Sequence, residues 1–125
     1  GFWQDRTLLH MCVFLNRYKT AQWLLNLHVS SDIQDADGMT ALHWAVSRGD
    51  LKMTAIFLAH HPNLRLVNSR GESLLHLAAI HQNIALARIL IQSGADKYIR
   101  DKYDLQPVDY AFDPNLRGLL YTGEK

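Results

Sequence analysis

Cysteine is nearly absent from this sequence, since Cys12 is the only one. An internal disulfide is therefore excluded, and a lone thiol favours a reducing compartment, either cytoplasm or nucleus. Charge of one sign is also missing, because 13 Lys and Arg residues face 12 Asp and Glu residues and leave a net charge of +1. This balance gives no reason to expect nucleic acid or an anionic membrane as a partner. The longest stretch without Asp, Glu, Lys or Arg, residues 73–87, contains two His, one Gln and one Asn, so the sequence predicts no membrane segment.

The composition is that of an ordinary globular protein. Hydrophobic residues make up 48% and charged residues 20% of the 125 positions, which excludes a disordered or collagen-like chain. This length corresponds to a single domain. The chain begins Gly-Phe-Trp without an initiating Met or a signal-peptide pattern, and we therefore expect it to have been cut from a longer polypeptide.

A segment of the sequence recurs at a constant offset. Residues 37–43 read DGMTALH and residues 70–76 read RGESLLH, so that His43 and His76 end equivalent runs. The same offset leads back to DRTLLH at residues 5–10 and forward to DLQPVDYA at residues 104–111. Self-similarity at a fixed period of this size indicates a repeat protein in which each unit packs on its neighbours. The predicted units are residues 2–34, 35–67, 68–100 and a shortened 101–125.

Equivalent positions agree in chemistry as well as in spacing. The aliphatic column contains Leu9, Leu42, Leu75 and Val108, and the small column contains Cys12, Ala45, Ala78 and Ala111. The first helical stretch of the first three units, at residues 8–15, 41–48 and 74–81, follows a Thr or Ser that caps its free N–H groups. A second amphipathic stretch follows in each unit, with polar residues such as Lys52 and Arg88 on its outer face.

The linkers between units consist of turn-forming residues. Gly38 and Gly71 supply a positive φ without steric cost, and Asp5 and Asp104 in the same column belong to the few residue types that tolerate it. The sequence therefore predicts an all-α protein of about four helix-turn-helix units, with about eight helices and protruding turns between the units.

In these repeated motifs the chain resembles the ankyrin-repeat family. The family signature, D-x-x-G-x-T-P-L-H-x-A-A followed later by L-L-x-x-G-A-D, is carried by residues 38–45 (GMTALHWA), 75–79 (LHLAA) and 90–96 (LIQSGAD). This resemblance covers essentially the whole chain and implies an ankyrin-repeat solenoid.

The departures from the signature concern three kinds of position. The signature Pro is replaced in the first three units, and His28 and His61 stand where a late Gly is usual. The last unit has Asp109 in place of the His, and its second helix, residues 114–120, is short before a polar end. We therefore expect this unit to be a C-terminal cap.

Seven histidines invite a metal site, but three of them occupy the same position in successive units. For these three, His10, His43 and His76, the resemblance implies a structural role, in which they hydrogen-bond groups at the turn and helix start. His28 and the pair at residues 60–61 are candidates to gather on one edge, yet no Cys or carboxylate stands at a ligand-like spacing from them. The sequence predicts no metal ligands.

Catalytic and cofactor sites are not predicted either. Cys12 occupies the column that holds Ala elsewhere, so we interpret it as a small core residue rather than a nucleophile. The acidic residues at 101, 104, 109 and 113 lack the spacing of a calcium loop and are better explained by turns and helix caps. No Gly-rich phosphate loop is present.

The resemblance places the binding surface on the concave face, which residues near the turn Gly and at the end of the first helix build. Transferred position by position, this surface comprises Trp3, Gln4, Arg6, Phe14 and Leu15; Ala36, Asp37, Met39, Ser47 and Arg48; Ser69, Arg70, Glu72, Ile80 and His81; and Lys102, Tyr103 and Leu105. The predicted partner contacts among them are Trp3, Arg6, Phe14, Met39, Arg48, Arg70, Glu72, Ile80, His81, Lys102, Tyr103 and Leu105. For Trp3, Phe14 and Leu15, packing against a deleted upstream repeat is an equal alternative.

These observations predict a noncatalytic protein-protein interaction module. Its partner is expected to be another protein or a peptide segment with acidic and apolar groups. An alternative is an intramolecular regulatory or scaffold domain of a larger enzyme, channel or ligase. Nucleic-acid binding is a distant third, because Asp96, Asp101 and Asp104 interleave with the small basic cluster of Lys97, Arg100 and Lys102.

Overall fold

The computed structural model describes residues 4–123, and within that range every regular element is helical. The elements are α1 Leu8–Phe14, α2 Tyr18–Asn26, α3 Ala41–Ser47, α4 Leu51–Leu58, α5 Leu74–Ile80, α6 Ile84–Gln92, a 3-10 helix Pro107–Tyr110 and α7 Pro114–Leu120. The predicted all-α architecture, with two helices per unit, is confirmed.

In each of the first three repeats, the first helix begins directly after an N-cap residue with a side-chain hydroxyl. Helices α1, α3 and α5 start at equivalent positions of their repeats, directly after Thr7, Thr40 and Ser73. Each hydroxyl accepts a hydrogen bond from the backbone N–H three residues later, and the His at that later position reaches back to the cap residue. This reciprocal arrangement satisfies two otherwise unpaired donors at each helix start.

The helices stack in two layers that share one core. Helices α1, α3, α5 and the 3-10 helix contact one another in order, and α2, α4, α6 and α7 form the second layer behind them. The predicted aliphatic and small columns lie between the layers and are buried at all eight positions. Met53, Phe57, Leu86 and Leu90 complete the core from the second layer. The stack therefore buries its apolar surface between neighbouring repeats, as a solenoid requires.

The turns between repeats share one hydrogen-bonding pattern. Asp35, Asn68 and Asp101 occupy equivalent positions, and the Oδ1 atom of each accepts bonds from the backbone N–H groups two and four residues later. The predicted turn positions at residues 5, 38, 71 and 104 all adopt a positive φ. The late positions His28 and His61 also have positive φ angles of 64° and 53°. An Asx turn followed by a left-handed residue thus forms each protruding tip.

Successive tips are joined through their backbones. The N–H of Ser69 donates to the carbonyl oxygen of Asp37 at 3.0 Å, and the N–H of Lys102 donates to that of Arg70, also at 3.0 Å. The side-chain amide of Gln34 adds bonds to the carbonyl oxygens at residues 38 and 67. The three tips over residues 35–105 therefore form a connected edge.

The last repeat is shortened in both of its helices. Its first element is a 3-10 helix of four residues that starts at Pro107 and ends in the extended residue Ala111. Asp113, which precedes Pro114, is extended as well, so α7 begins as a separate helix. The Arg117 guanidinium donates to the carbonyl oxygens at residues 108 and 111, which caps the 3-10 helix from α7.

Candidate protein-binding surface

A cavity of about 370 Å³ lies on the concave face, between the second and third turn tips. Its lining comprises Asp37, Met39, Ser47, Asn68, Ser69, Arg70, Glu72, Leu77, Ile80 and His81. Five predicted contact residues, at positions 39, 70, 72, 80 and 81, therefore meet at one place. Two lining residues, Asn68 and Leu77, were not predicted.

Glu72 was expected to project toward a partner, but its side chain is largely buried. It is 8% exposed, and its Oε1 accepts a 2.9 Å hydrogen bond from the side-chain amide of Asn68. The Arg70 guanidinium lies 4.0 Å from the same oxygen. The prediction missed this because Asn68 occupies a column in which the neighbouring repeats have Asp, and only an amide donates to the carboxylate. Glu72 lines the cavity as a positioning residue for the turn.

Arg70, by contrast, extends into solvent. Its side chain is 69% exposed, so its weak ion pair with Glu72 leaves most of the guanidinium accessible. Ile80 and His81, at the end of α5, are also exposed. The cavity thus combines an accessible cation with an apolar wall.

A stack of aromatic and cationic side chains joins the first and second repeats. The Arg6 guanidinium lies 4.7 Å from the Trp44 ring centroid, and the Phe14 and Trp44 centroids are 6.2 Å apart. The Arg48 guanidinium lies 5.4 Å from the Phe14 centroid. Sequence reasoning missed Trp44, although a Trp in a column that holds Met in the first repeat and Leu in the third was an available signal. Because of this stack, Arg48 and Phe14 are presented as one preformed unit.

Arg6 is held by an acidic partner as well. Its Nε lies 3.3 Å from Oδ2 of Asp35, a carboxylate that is 2% exposed. Burial alone would raise the pKa of Asp35, but bonds from the N–H groups of Met39 and Asp37 and from Arg6 outweigh it and leave the pKa below its ordinary value. Arg6 therefore contributes to the structure of the second turn.

The fourth tip carries an exposed aromatic residue. Tyr103 is 66% exposed, and the Lys102 ammonium lies 5.0 Å from its ring centroid. Leu105 is 36% exposed, and its carbonyl oxygen receives a bond from His76. Since the backbone of Lys102 is bonded to that of Arg70, Tyr103 continues the surface that begins at the cavity. The predicted contact at residue 3 lies outside the described residues.

The three regularly spaced histidines bond at the helix starts, as predicted. The Nδ1 atoms of His10, His43 and His76 lie 2.7–2.9 Å from the cap hydroxyls. Nε2 of His10 and of His76 is bonded to a carbonyl oxygen of the next turn. The corresponding atom of His43 faces the backbone of Leu66 and Glu72 without a hydrogen bond of good geometry.

Cys12 and the three histidines at residues 28, 60 and 61 are the candidates for nucleophilic or metal chemistry. Cys12 is buried, and burial raises the pKa of its thiol, which disfavours the nucleophilic thiolate. His28, His60 and His61 do line one cavity, of about 210 Å³. Across the described part of the chain, however, no group of three or more His, Cys, Asp or Glu residues is arranged to hold a metal ion.

The helices described are all too short or too polar to cross a membrane.

This geometry defines a class of protein. Helix pairs that recur at a fixed period with projecting tips form a repeat solenoid that offers an extended concave surface. The sequence profile of the family described as ankyrin repeats, in three copies, matches residues 9–101. The chain belongs to the ankyrin-repeat family.

Several known proteins are similar to this chain. Human NF-kappa-B inhibitor alpha is 31% identical over 98 residues, which is 74% of this chain and 31% of that protein. Human NF-kappa-B inhibitor epsilon is 32% identical over 101 residues, which is 73% of this chain and 20% of that protein. The ankyrin repeat domain of Bcl-3, described as a unique member of the IkappaB protein family, superposes with a TM-score of 0.89 at 28% identity over 94% of this chain and 52% of that one. The chain spans about a third or less of the length of these curated relatives.

Proposed function

We propose that this ankyrin-repeat module recognises a peptide-like segment of another protein through the surface that runs from Phe14 to Tyr103. An ankyrin-repeat stack is a protein-protein interaction module. The single observation that carries the proposal is the concave cavity, in which an accessible Arg70 stands beside Met39 and Ile80. The proposed contacts are Phe14, Met39, Arg48, Arg70, Ile80, His81, Lys102, Tyr103 and Leu105.

The charges and apolar groups of this surface indicate the chemistry of the partner. Arg48, Arg70 and Lys102 are exposed cations, and the exposed carboxylate beside the cavity is that of Asp37. An Arg guanidinium binds a carboxylate through two parallel hydrogen bonds, and rigid aromatic rings add contact area at low entropic cost. The partner segment is therefore proposed to carry acidic side chains beside apolar ones.

Binding proceeds through a preorganised surface. The tips are joined by backbone bonds, and Arg48 already rests on Phe14, so little conformational freedom is lost on association. No step in this function requires bond chemistry or a cofactor, and the module is proposed to be noncatalytic. The lone, buried Cys12 supports a reducing compartment, the cytoplasm or nucleus.

The same surface suits an intramolecular partner. In this second proposal, the occupant is a regulatory or catalytic domain of the same parent chain, such as an enzyme, channel or ligase domain. The fact that the relatives are several times longer than this chain favours it. Nucleic acid is the weakest candidate, because the cations of the concave face are separated by apolar residues and do not form a phosphate track.

A peptide selection tests the proposed surface. Peptides are selected from a random phage-displayed library on the immobilised protein and titrated by fluorescence polarisation. The double substitution Arg70→Ala and Tyr103→Ala is expected to weaken binding by about 2–4 kcal/mol, or about 30- to 1000-fold. Arg88→Ala on the outer face of α6 is the matched control and should leave affinity unchanged. If no selected peptide lost affinity in the concave double variant while its melting temperature stayed the same, the proposal would be wrong.

A further inference from the structure

A second groove lies on the opposite, outer face of the stack, between α2 and α4. Its volume is about 340 Å³, and Tyr18, Lys19, Trp23, Lys52 and Ile56 form its walls. It shares none of its lining residues with the concave cavity. The two surfaces are therefore available to different ligands.

Trp23 is the residue that sets this groove apart from the equivalent place on the later repeats. Its counterparts in the second and third repeats are Ile56 and Ile89, and both are partly buried against the core. Trp23 is instead 61% exposed. A side chain of this size that does not contribute to the core leaves a large aromatic surface in solvent, and such surfaces mark interaction sites.

Two lysines line the groove together with that aromatic surface. Lys19 and Lys52 are exposed on the groove, and the Lys52 ammonium lies 4.7 Å from the Tyr18 ring centroid. The nearby carboxylate of Asp50 is already engaged, because it accepts bonds from the Tyr18 hydroxyl at 2.9 Å and from the N–H of Met53 at 3.0 Å. The groove therefore offers two cations beside an apolar floor, with its adjacent carboxylate occupied within the protein.

We propose that this outer groove is a second docking site, which takes an acidic protein segment bearing one aromatic or aliphatic anchor. The anchor packs on Trp23 and Ile56, and flanking Glu or Asp side chains pair with Lys19 and Lys52. Opposite charges on the two sides favour this partner over a basic one and steer its approach. Two cations are too few for a phosphate track, which requires a longer series of Lys and Arg side chains. With both faces occupied, the module joins two protein segments.

The probe is a synthetic, terminally blocked peptide of Glu, Ala and Leu residues with one central Phe. The control peptide has Lys at every Glu position. Each peptide is titrated into ¹⁵N-labelled protein, and the indole N–H signal of Trp23, assigned with Trp23→Ala, reports binding. The acidic peptide is expected to shift this signal in a saturable manner, and the lysine peptide is expected to leave it unchanged.

Charge reversal gives the decisive comparison. Lys19→Glu combined with Lys52→Glu alters only exposed side chains and should lower the affinity for the acidic peptide at least about tenfold. Arg88→Glu, on the outer face of α6, should retain wild-type affinity as reported by the Trp23 indole signal.

The proposal would be overturned by equal binding of the lysine peptide or by an unshifted Trp23 indole signal. A loss of binding in Arg88→Glu as large as in the Lys19 and Lys52 variant, or a stronger response of Trp23 to oligothymidylate, would also overturn it. Self-association that Trp23→Ala abolishes, measured by sedimentation velocity, would likewise show that a second copy of the chain is the occupant.

Discussion

The Nε2 atom of His76 lies 2.8 Å from the carbonyl oxygen of Leu105, in the next turn of the stack. Because a carbonyl oxygen only accepts hydrogen bonds, Nε2 must carry the ring proton. Nδ1 is then the acceptor for the backbone N–H of Ser73, at 3.1 Å. One imidazole therefore joins the start of α5 to the neighbouring turn. His10 repeats this relationship with the residues at positions 7 and 39.

Removing this imidazole should destabilise the fold. His76→Ala leaves the Leu105 carbonyl and the Ser73 N–H without their partner, and we expect the free energy of unfolding to fall by about 1–3 kcal/mol. Urea denaturation followed by circular dichroism measures the change. The exposed His81 is the control, and His81→Ala should stay within about 0.5 kcal/mol of the wild type. Equal effects of the two substitutions would contradict the bridging role.

His43 should make stability depend on pH. Burial lowers the pKa of its imidazole to about 4. The nearby backbone groups of Leu66 and Glu72 raise this pKa, but by less than burial lowers it. Since the ordinary value is 6.5, the unfolded chain binds more protons than the folded one between pH 6.5 and 4, and stability falls as the pH decreases through that window. The integrated loss from this group is about 3 kcal/mol.

The pH prediction is tested by comparing wild type with His43→Gln. The free energy of unfolding of both proteins is measured at pH 7, 5.5 and 4. As the pH decreases, it should fall more steeply for the wild type than for His43→Gln. The carboxyls of Asp35 and Asp101, whose pKa values are also held low by hydrogen bonds that outweigh burial, are present in both proteins and cancel in the difference. Parallel curves would show that His43 does not titrate differently on folding.

Two glycines should respond differently to the same substitution. Gly38 and Gly94 both have positive φ angles, of 76° and 97°, so Ala at either position incurs a similar backbone cost of about 1 kcal/mol. A Cβ on Gly38 would in addition lie 2.7 Å from the N atom of Ser69, whereas one on Gly94 meets nothing within 4 Å. We expect Gly38→Ala to be the more destabilising by a further amount of about 1–3 kcal/mol, measured by urea denaturation. Similar losses at both sites would refute a close approach between the tips.

Cys12→Ala should be mild. The equivalent residues Ala45, Ala78 and Ala111 are fully buried without a sulfur atom, so the substitution creates only a small void. The expected loss is about 1 kcal/mol or less, measured as a shift in the thermal midpoint. Loss of peptide binding at an unchanged thermal midpoint would instead assign Cys12 a functional role.

The periodic features could be predicted from sequence because each is a local relationship or one between neighbouring repeats. The caps before α1, α3 and α5 and the helix Pro114–Leu120 follow from residue type and neighbours, and the structure confirms them. The 3-10 form of the element at Pro107 could not be predicted in the same way. Its carbonyl oxygens are capped by Arg117 from the following helix, a contact that the local sequence does not indicate. The unit boundaries at residues 34, 67 and 100 remain a prediction.

The surface was less predictable than the fold, because exposure depends on partners elsewhere in the stack. Arg6 fits the pattern of a free contact residue, yet a buried carboxylate and an indole ring hold it. The side-chain amide of Asn68 donates a hydrogen bond to the Glu72 carboxylate, which is buried. Neither pairing follows from the family signature. Asp35 occupies the signature Asp position and Asn68 departs from it, but Arg6 and Glu72 occupy positions that the signature leaves open. The outer groove depends on one departure, a Trp at a position that holds Ile in the next two repeats.

The backbone bonds from Ser69 to Asp37 and from Lys102 to Arg70 have a consequence for how this surface changes during evolution. Main-chain atoms set the distance between neighbouring tips, and the close approach at Gly38 reinforces it. The exposed side chains at the tips, such as those of Arg70 and Tyr103, form none of these backbone bonds. They are therefore free to be exchanged one by one, and a new partner can be acquired by substitution at the exposed tip positions while the repeat-to-repeat distance that a ligand must match stays constant.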